Sequence, residues 1–323
     1  MESVSEREIR WMLERTADLL EHGAEPVRGL VTPTATFFPD TFDGSAQSVE
    51  RVVERMKEHA GLGSVPTDLV LVNAGAKPSS GSSCGSGGCS VELPDARKVR
   101  RVVPREDGGY TLTLTSSEAS HPIAFTTALA RGVAGVFVFE SGAVEVVPRA
   151  ELEPTTDLAA ALLGFGVLVA NGSYIYAKSC GGVKVQQATA MPVEQTTLAL
   201  ALACALFKLP TSTATKHLEL TQREHFEEAR AFVDSHAPIV KLLLKDPELV
   251  RRGAYELGET KSWLARVLGV GKKPKTDLPS EAELASLRSA PAKKKTPLDE
   301  ARARRLAEAR ALVYEADEAV GGE

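Results

Sequence analysis

The sequence predicts an α+β fold: a helical assembly packed against a small sheet, followed by a helical tail. Three observations predict it. Apolar residues recur at helical spacing from the start of the chain, short β-branched runs with period two fall between residues 68 and 115, and the chain beyond Pro210 becomes charged and helical in pattern. With 323 residues, 43% of them hydrophobic, the chain is long enough to bury at least one substantial core.

Over residues 5–21, Ile9, Met12, Leu13, Ala17, Leu19 and Leu20 lie between charges at roughly the helical period, which predicts an amphipathic helix. Residues 30–43 carry two prolines and the adjacent Phe37 and Phe38, so an extended stretch anchored by its aromatics is expected. A second helix is expected over 45–62; Ser48 is followed three residues later by Arg51 rather than Glu, so no capping box marks its start. The runs 68–73, 98–103 and 110–115 predict strands, the last two joined by the turn Asp107-Gly108-Gly109. Between the first two lies KPSSGSSCGSGGCS at 77–90, whose Gly and Ser content offers little side chain to bury, so a mobile loop is expected.

Pro122 suits a first helical turn, and 123–139 follows as a nearly all-apolar helix that must be buried. A further helix is expected from near Pro154 to Asn171, with Gly164 and Gly166 permitting close approach of another element. Residues 174–187 predict a hairpin turning at Gly181-Gly182, and 193–209 a helix. Residues 211–271 form a helical extension with helices over 221–236 and 239–255, 272–297 read as a Lys/Pro-rich linker, and 298–323 hold a C-terminal helix, solvated or partner-seeking.

A net charge of -5 gives no bulk electrostatic reason to bind nucleic acid or an anionic membrane. The first 20 residues mix Glu and Arg with apolar positions, unlike an export signal, and the most apolar runs, 123–139 and 158–170, are read as too short or too Gly-rich to cross a membrane. A cytoplasmic chain is expected, with another protein as partner and neither nucleic acid nor membrane.

Of four cysteines, Cys84 and Cys89 form C-x4-C in the Gly/Ser loop and could clamp a soft metal, form a reversible disulfide or stay free thiols. Free thiols are the favoured reading, since a structural zinc site needs four ligands and no second close Cys/His pair exists. Cys180 and Cys204 read as small packing residues. His121 fits capping at a helix entry; His217, His225 and His236 stand in charged helical surroundings. The glycines at 132, 135, 164 and 166 make no phosphate loop, and no G-x-S-x-G elbow occurs. The lysines at 272–273 and 293–295 read as solvated.

Several motifs together carry a resemblance: LVTPTATFFPDTFDG at 30–44, ALARGVAGV at 128–136, EPTTDL at 153–158, the Gly-rich run 164–171 ending in Ala-Asn, and MPVEQTTLALALA from Met191. In this order they resemble an uncharacterised bacterial zincin-like family of zinc-metallopeptidase type, over residues 30–210. The resemblance implies a zincin-like helical core and makes 1–210 a degenerate zinc-peptidase-like domain. The family's helix reads approximately T-L-A-H-E-L-A-H-V: two histidines a turn apart hold zinc, and the glutamate takes a proton from the metal-bound water. Here Arg131 stands at the first histidine, Gly132 at the glutamate and Gly135 at the second histidine. A guanidinium has no lone pair to give and repels a dication. Glu153 falls where the family places its third ligand, with Asp157 one turn on, so Arg131, Glu153 and Asp157 mark a vestigial cleft in which Arg131 pairs with Glu153 and fixes two helices in register.

The resemblance therefore implies a pseudoenzyme without catalytic residues, metal or cofactor, acting as a scaffold or regulatory interaction protein. The alternatives are a redox- or metal-responsive protein using Cys84 and Cys89, and an active metallopeptidase with substitute ligands, which requires His121 or a distal histidine to converge on Glu153.

Overall fold

Ser5 caps α1 (Glu6–Glu21): its hydroxyl accepts the Glu8 N–H, and the Glu8 carboxylate accepts the Ser5 N–H. The helix buries Ile9, Met12, Leu13, Ala17 and Leu19. The computed structural model to which it belongs describes residues 4–72, 92–179, 182–257 and 297–320. Cys84, Cys89, Cys180 and the lysine runs lie outside them.

Residues 30–43 are not the extended stretch expected. The N–H groups of Phe37 and Phe38 both donate to the Thr34 carbonyl, so the segment coils into turns. Its aromatics do anchor it, both standing edge-on to His59 with centroids 5.4 and 5.8 Å away. Helix α2 (Ala46–His59) starts at Ser45, whose hydroxyl accepts the Ser48 N–H; Ser48 is inside the helix, not its cap.

Strands β1 (Thr67–Val72), β2 (Val102–Pro104) and β3 (Tyr110–Thr115) form a mixed sheet in the order β1-β3-β2. β1 runs parallel to β3 with Thr67 opposite Tyr110, and β2 antiparallel with Val102 opposite Leu112. The expected strand 98–103 shrinks because Asp95 draws the chain into a turn, its side chain accepting the Arg97 N–H and its carbonyl the Lys98 N–H.

After the short α3 (Ser116–Ala119), α4 (Pro122–Glu140) runs through the centre with Pro122 in its first turn. Helices α5 (Leu152–Ala160) and α6 (Gly166–Gly172) are not the one uninterrupted helix expected. They are joined by a wide turn, Ala161–Phe165, in which Gly164 has φ 95°. A Cβ there would lie 2.2 Å from the Gly29 carbonyl oxygen, and the Gly164 carbonyl accepts the Val31 N–H at 2.9 Å. Glycine is required by the close approach and by the left-handed backbone alike.

Strands β4 (Ile175–Ser179) and β5 (Gly182–Gln186) make the hairpin, but Gly182 pairs with Ser179 and so belongs to a strand, not the turn. Helices α7 (Val193–Phe207), α8 (Thr211–His217) and α9 (Leu220–Ser235) follow. The single helix expected over 239–255 divides into α10 (Ala237–Lys245) and α11 (Pro247–Arg251) because Pro247 has no N–H to continue the ladder. Side chains of α9, α10 and α11 share one hydrophobic cluster with α1, α4, α5, α6 and α7. The closing helix α12 (Pro297–Val320) is not wholly solvated; Leu306 and Ala309 are buried on that same cluster.

Two helical stretches, Pro122–Glu140 and Arg149–Gly172, have mean hydropathies of 1.6 and 1.4 and are long enough to cross a membrane, contrary to the length expected from the sequence. Some 78% and 83% of each window is buried inside the fold.

Candidate functional site

Arg131 lies on α4 among apolar neighbours and is completely buried. A buried guanidinium is tolerable only with ionic partners at hydrogen-bond distance. Helix α5 supplies two, because Glu153 and Asp157 stand one turn apart on the same face. Arg131 Nη2 donates to Glu153 Oε2 at 2.8 Å, and Arg131 Nε donates to Asp157 Oδ1. The second oxygen of Asp157 accepts the backbone N–H groups of Ala190 and Met191 at 2.6 and 2.8 Å. Asp157 thus ties α4, α5 and the segment entering α7 together. Burial alone would loosen the proton on Arg131, but Asp157 and then Glu153 reverse this, and the group stays a guanidinium. The carboxyl of Glu153 is raised above the usual range, chiefly by burial; the Arg131 charge opposes this, and the neighbouring Asp157 adds to it.

Arg131, Glu153 and Asp157 meet, but in surroundings other than the expected cleft. They do not line a cleft: Arg131 and Asp157 side chains are 0% exposed and Glu153 only 21%. The main partner is Asp157 rather than Glu153 alone. The space beside α4 is filled from the sheet, since a Cβ at Gly135 would lie 2.6 Å from Val102 Cγ2 and one at Gly132 3.3 Å from Leu112 Cδ2.

A second buried pair lies alongside. Arg101 grips Glu118 with both ends of its fork, Nη1 to Oε2 at 2.9 Å and Nη2 to Oε1 at 2.6 Å, and Nη1 also donates to the Thr113 carbonyl. Glu118 closes a capping box on Thr115 at the end of β3. Burial pushes the Glu118 carboxyl up, but Arg101 and the Thr115 donors outweigh it, and the net direction is down. The sequence analysis did not single out this pair, although Thr115-Ser116-Ser117-Glu118 carries its signal, the T-x-x-E of a capping box.

The histidines do not converge on Glu153. His121 caps α4, its Nδ1 accepting the Ala124 N–H, ten residues ahead of Arg131. At 1.5 Å per residue this separates them by about 15 Å along the axis, which removes the substitute-ligand arrangement through His121. His217 engages Asn171 through its carbonyl, and His236 is buried beside Phe232. Among the described residues no three His, Cys, Asp or Glu side chains gather as a metal-holding group. Cys204 is a buried packing thiol in α7, its pKa pushed up to about 12 by burial. Compared with protein-family models, curated proteins and solved structures, the chain matches none.

Proposed function

We propose that this chain is a non-catalytic, zincin-derived protein that works in the cytoplasm as a scaffold or regulatory partner of another protein. One observation carries the reading. Where a zincin helix would present imidazole and carboxylate to a metal, α4 presents a buried guanidinium already neutralised by Glu153 and Asp157. The packing of Val102 and Leu112 against Gly135 and Gly132 supports it further, because a side chain at Gly135 would meet Val102 Cγ2 at 2.6 Å and one at Gly132 would press on Leu112 at 3.3 Å. A fixed positive charge has taken the electrostatic place of the dication, so the acidic remnant keeps a structural use after its catalytic one is gone.

The test is zinc addition to the purified chain, followed by metal analysis after gel filtration and a peptide-hydrolysis assay. Retained zinc below one-tenth per chain, with no hydrolysis, is the expected result. Near-stoichiometric zinc that Glu153→Ala abolishes, accompanied by hydrolysis, overturns the reading.

A further inference from the structure

Glu140, the last residue of α4, is completely buried, and it stands at the helix end where backbone carbonyls already accumulate negative charge. Within the body of the fold it receives the Tyr110 hydroxyl at 2.7 Å. Its cation comes from the far end of the sequence: Arg305 on α12 donates through Nε to Oε1 and through Nη2 to Oε2 at 2.7 Å, and Nη2 also reaches the Gly108 carbonyl at 3.2 Å. Five residues on, Arg310 takes a second seat. It pairs with Glu25 at 3.1 Å, lays its guanidinium over the Phe137 ring at 5.7 Å and presses its stem on Gly61, where a Cβ would lie 2.7 Å from Arg310 Cγ. Between these arginines, Leu306 and Ala309 are buried.

The groove is therefore matched to a helix bearing Arg-x4-Arg with Leu and Ala buried between the arginines. Among the described side chains of α12, residues 300, 301, 303, 304, 307, 308 and 311 are exposed, so over that stretch the seat is made by the two arginines and a narrow apolar strip. Thirty-nine residues, 258–296, separate α12 from Leu257 in the sequence. By covalent reach of at most about 3.5 Å per residue, that length can hand the helix to a neighbouring molecule.

We propose that the groove over Glu140 is an exchangeable helix-binding site: α12 occupies it within one chain, and the α12 of a second copy takes the same seat to pair two chains. The second copy is the occupant because its helix reproduces every contact of the resident one without new chemistry. The proposal names a partner for the interaction reading and rests on it, yet the two fail separately, since zinc capture tests α4 and α5 while the exchange is read on α12.

The experiment uses full-length chains and a fluorescent peptide of residues 297–320. The tethered helix competes within its own chain, so the peptide should bind the Arg305→Ala chain at least about ten-fold more tightly than the wild-type chain. Leu306→Asp, which removes the apolar contact instead, should do the same, and a peptide carrying Arg305→Ala should bind neither. Light scattering of the wild-type chain should show a dimer fraction that rises with concentration and is lost in both variants. Equal affinity for all chains, no binding to either variant, or a mass that stays monomeric or ignores both substitutions would overturn the proposal.

Discussion

Replacing Arg131 by alanine removes the cation at the centre of the α4–α5 junction. Taking one partner from a buried pair costs about 3–5 kcal/mol, because the other charge is stranded. The structure places this case near the lower end. Asp157 keeps the Ala190 and Met191 N–H groups, and Glu153, 21% exposed, can turn partly to water. A loss of about 3 kcal/mol should lower the melting temperature by about 4–5 °C in a chain of 323 residues, at an unfolding entropy of about 2.1 cal/mol/K per residue. Thermal unfolding followed by circular dichroism at neutral pH measures it. Arg131→Lys keeps the charge but not the fork that reaches two carboxylates at once, so it should recover only part of the loss. A melting temperature for Arg131→Ala within about 1 °C of wild type would refute the reasoning, since no buried charge would then have been stranded.

Glu153 beside Arg131 and Glu118 beside Arg101 should titrate with opposite sign. Glu153 has a raised folded pKa, so its contribution is present below its unfolded pKa and lost as pH rises through the folded one; the melting temperature of Glu153→Gln relative to wild type should therefore rise as pH increases from acid to neutral, and a relative melting temperature that falls over that range would contradict this. Glu118 has a folded pKa below its ordinary 4.5, so the advantage of wild type over Glu118→Gln should be full at neutral pH and fade on acidification through that region; an advantage unchanged at low pH would count against it. Gly135→Ala forces a methyl against Val102 and should destabilise by about 1–3 kcal/mol in urea unfolding, with Val102→Ala in the same chain restoring most of it; no restoration would place the strain elsewhere. Gly164→Ala meets the Gly29 carbonyl and a left-handed backbone together, so soluble yield should collapse; a variant with normal yield and melting would show that the wide turn can relax.

The residues that were legible in the sequence are those whose partners lie on one element or on helices with a strong pattern. Helix α4 announced itself by unbroken apolarity, and an arginine within it had to be paired; Glu153 and Asp157 were visible because a four-residue spacing puts both on one helical face. What spacing could not reveal was depth. The sheet residues that press on Gly132 and Gly135 come from β2 and β3, and nothing local to α4 says that Val102 will arrive there and close the expected cleft. Glu140 and Arg305 are the extreme case, 165 positions apart. Yet Glu140 carries its own warning: a lone acid ending an apolar helix is disfavoured by the helix dipole and by burial, so a cation had to come from elsewhere. The same rule that makes Arg131 legible applies to Glu140 with the sign reversed: Arg305 meets that charge, and Leu306 beside it is buried on the core.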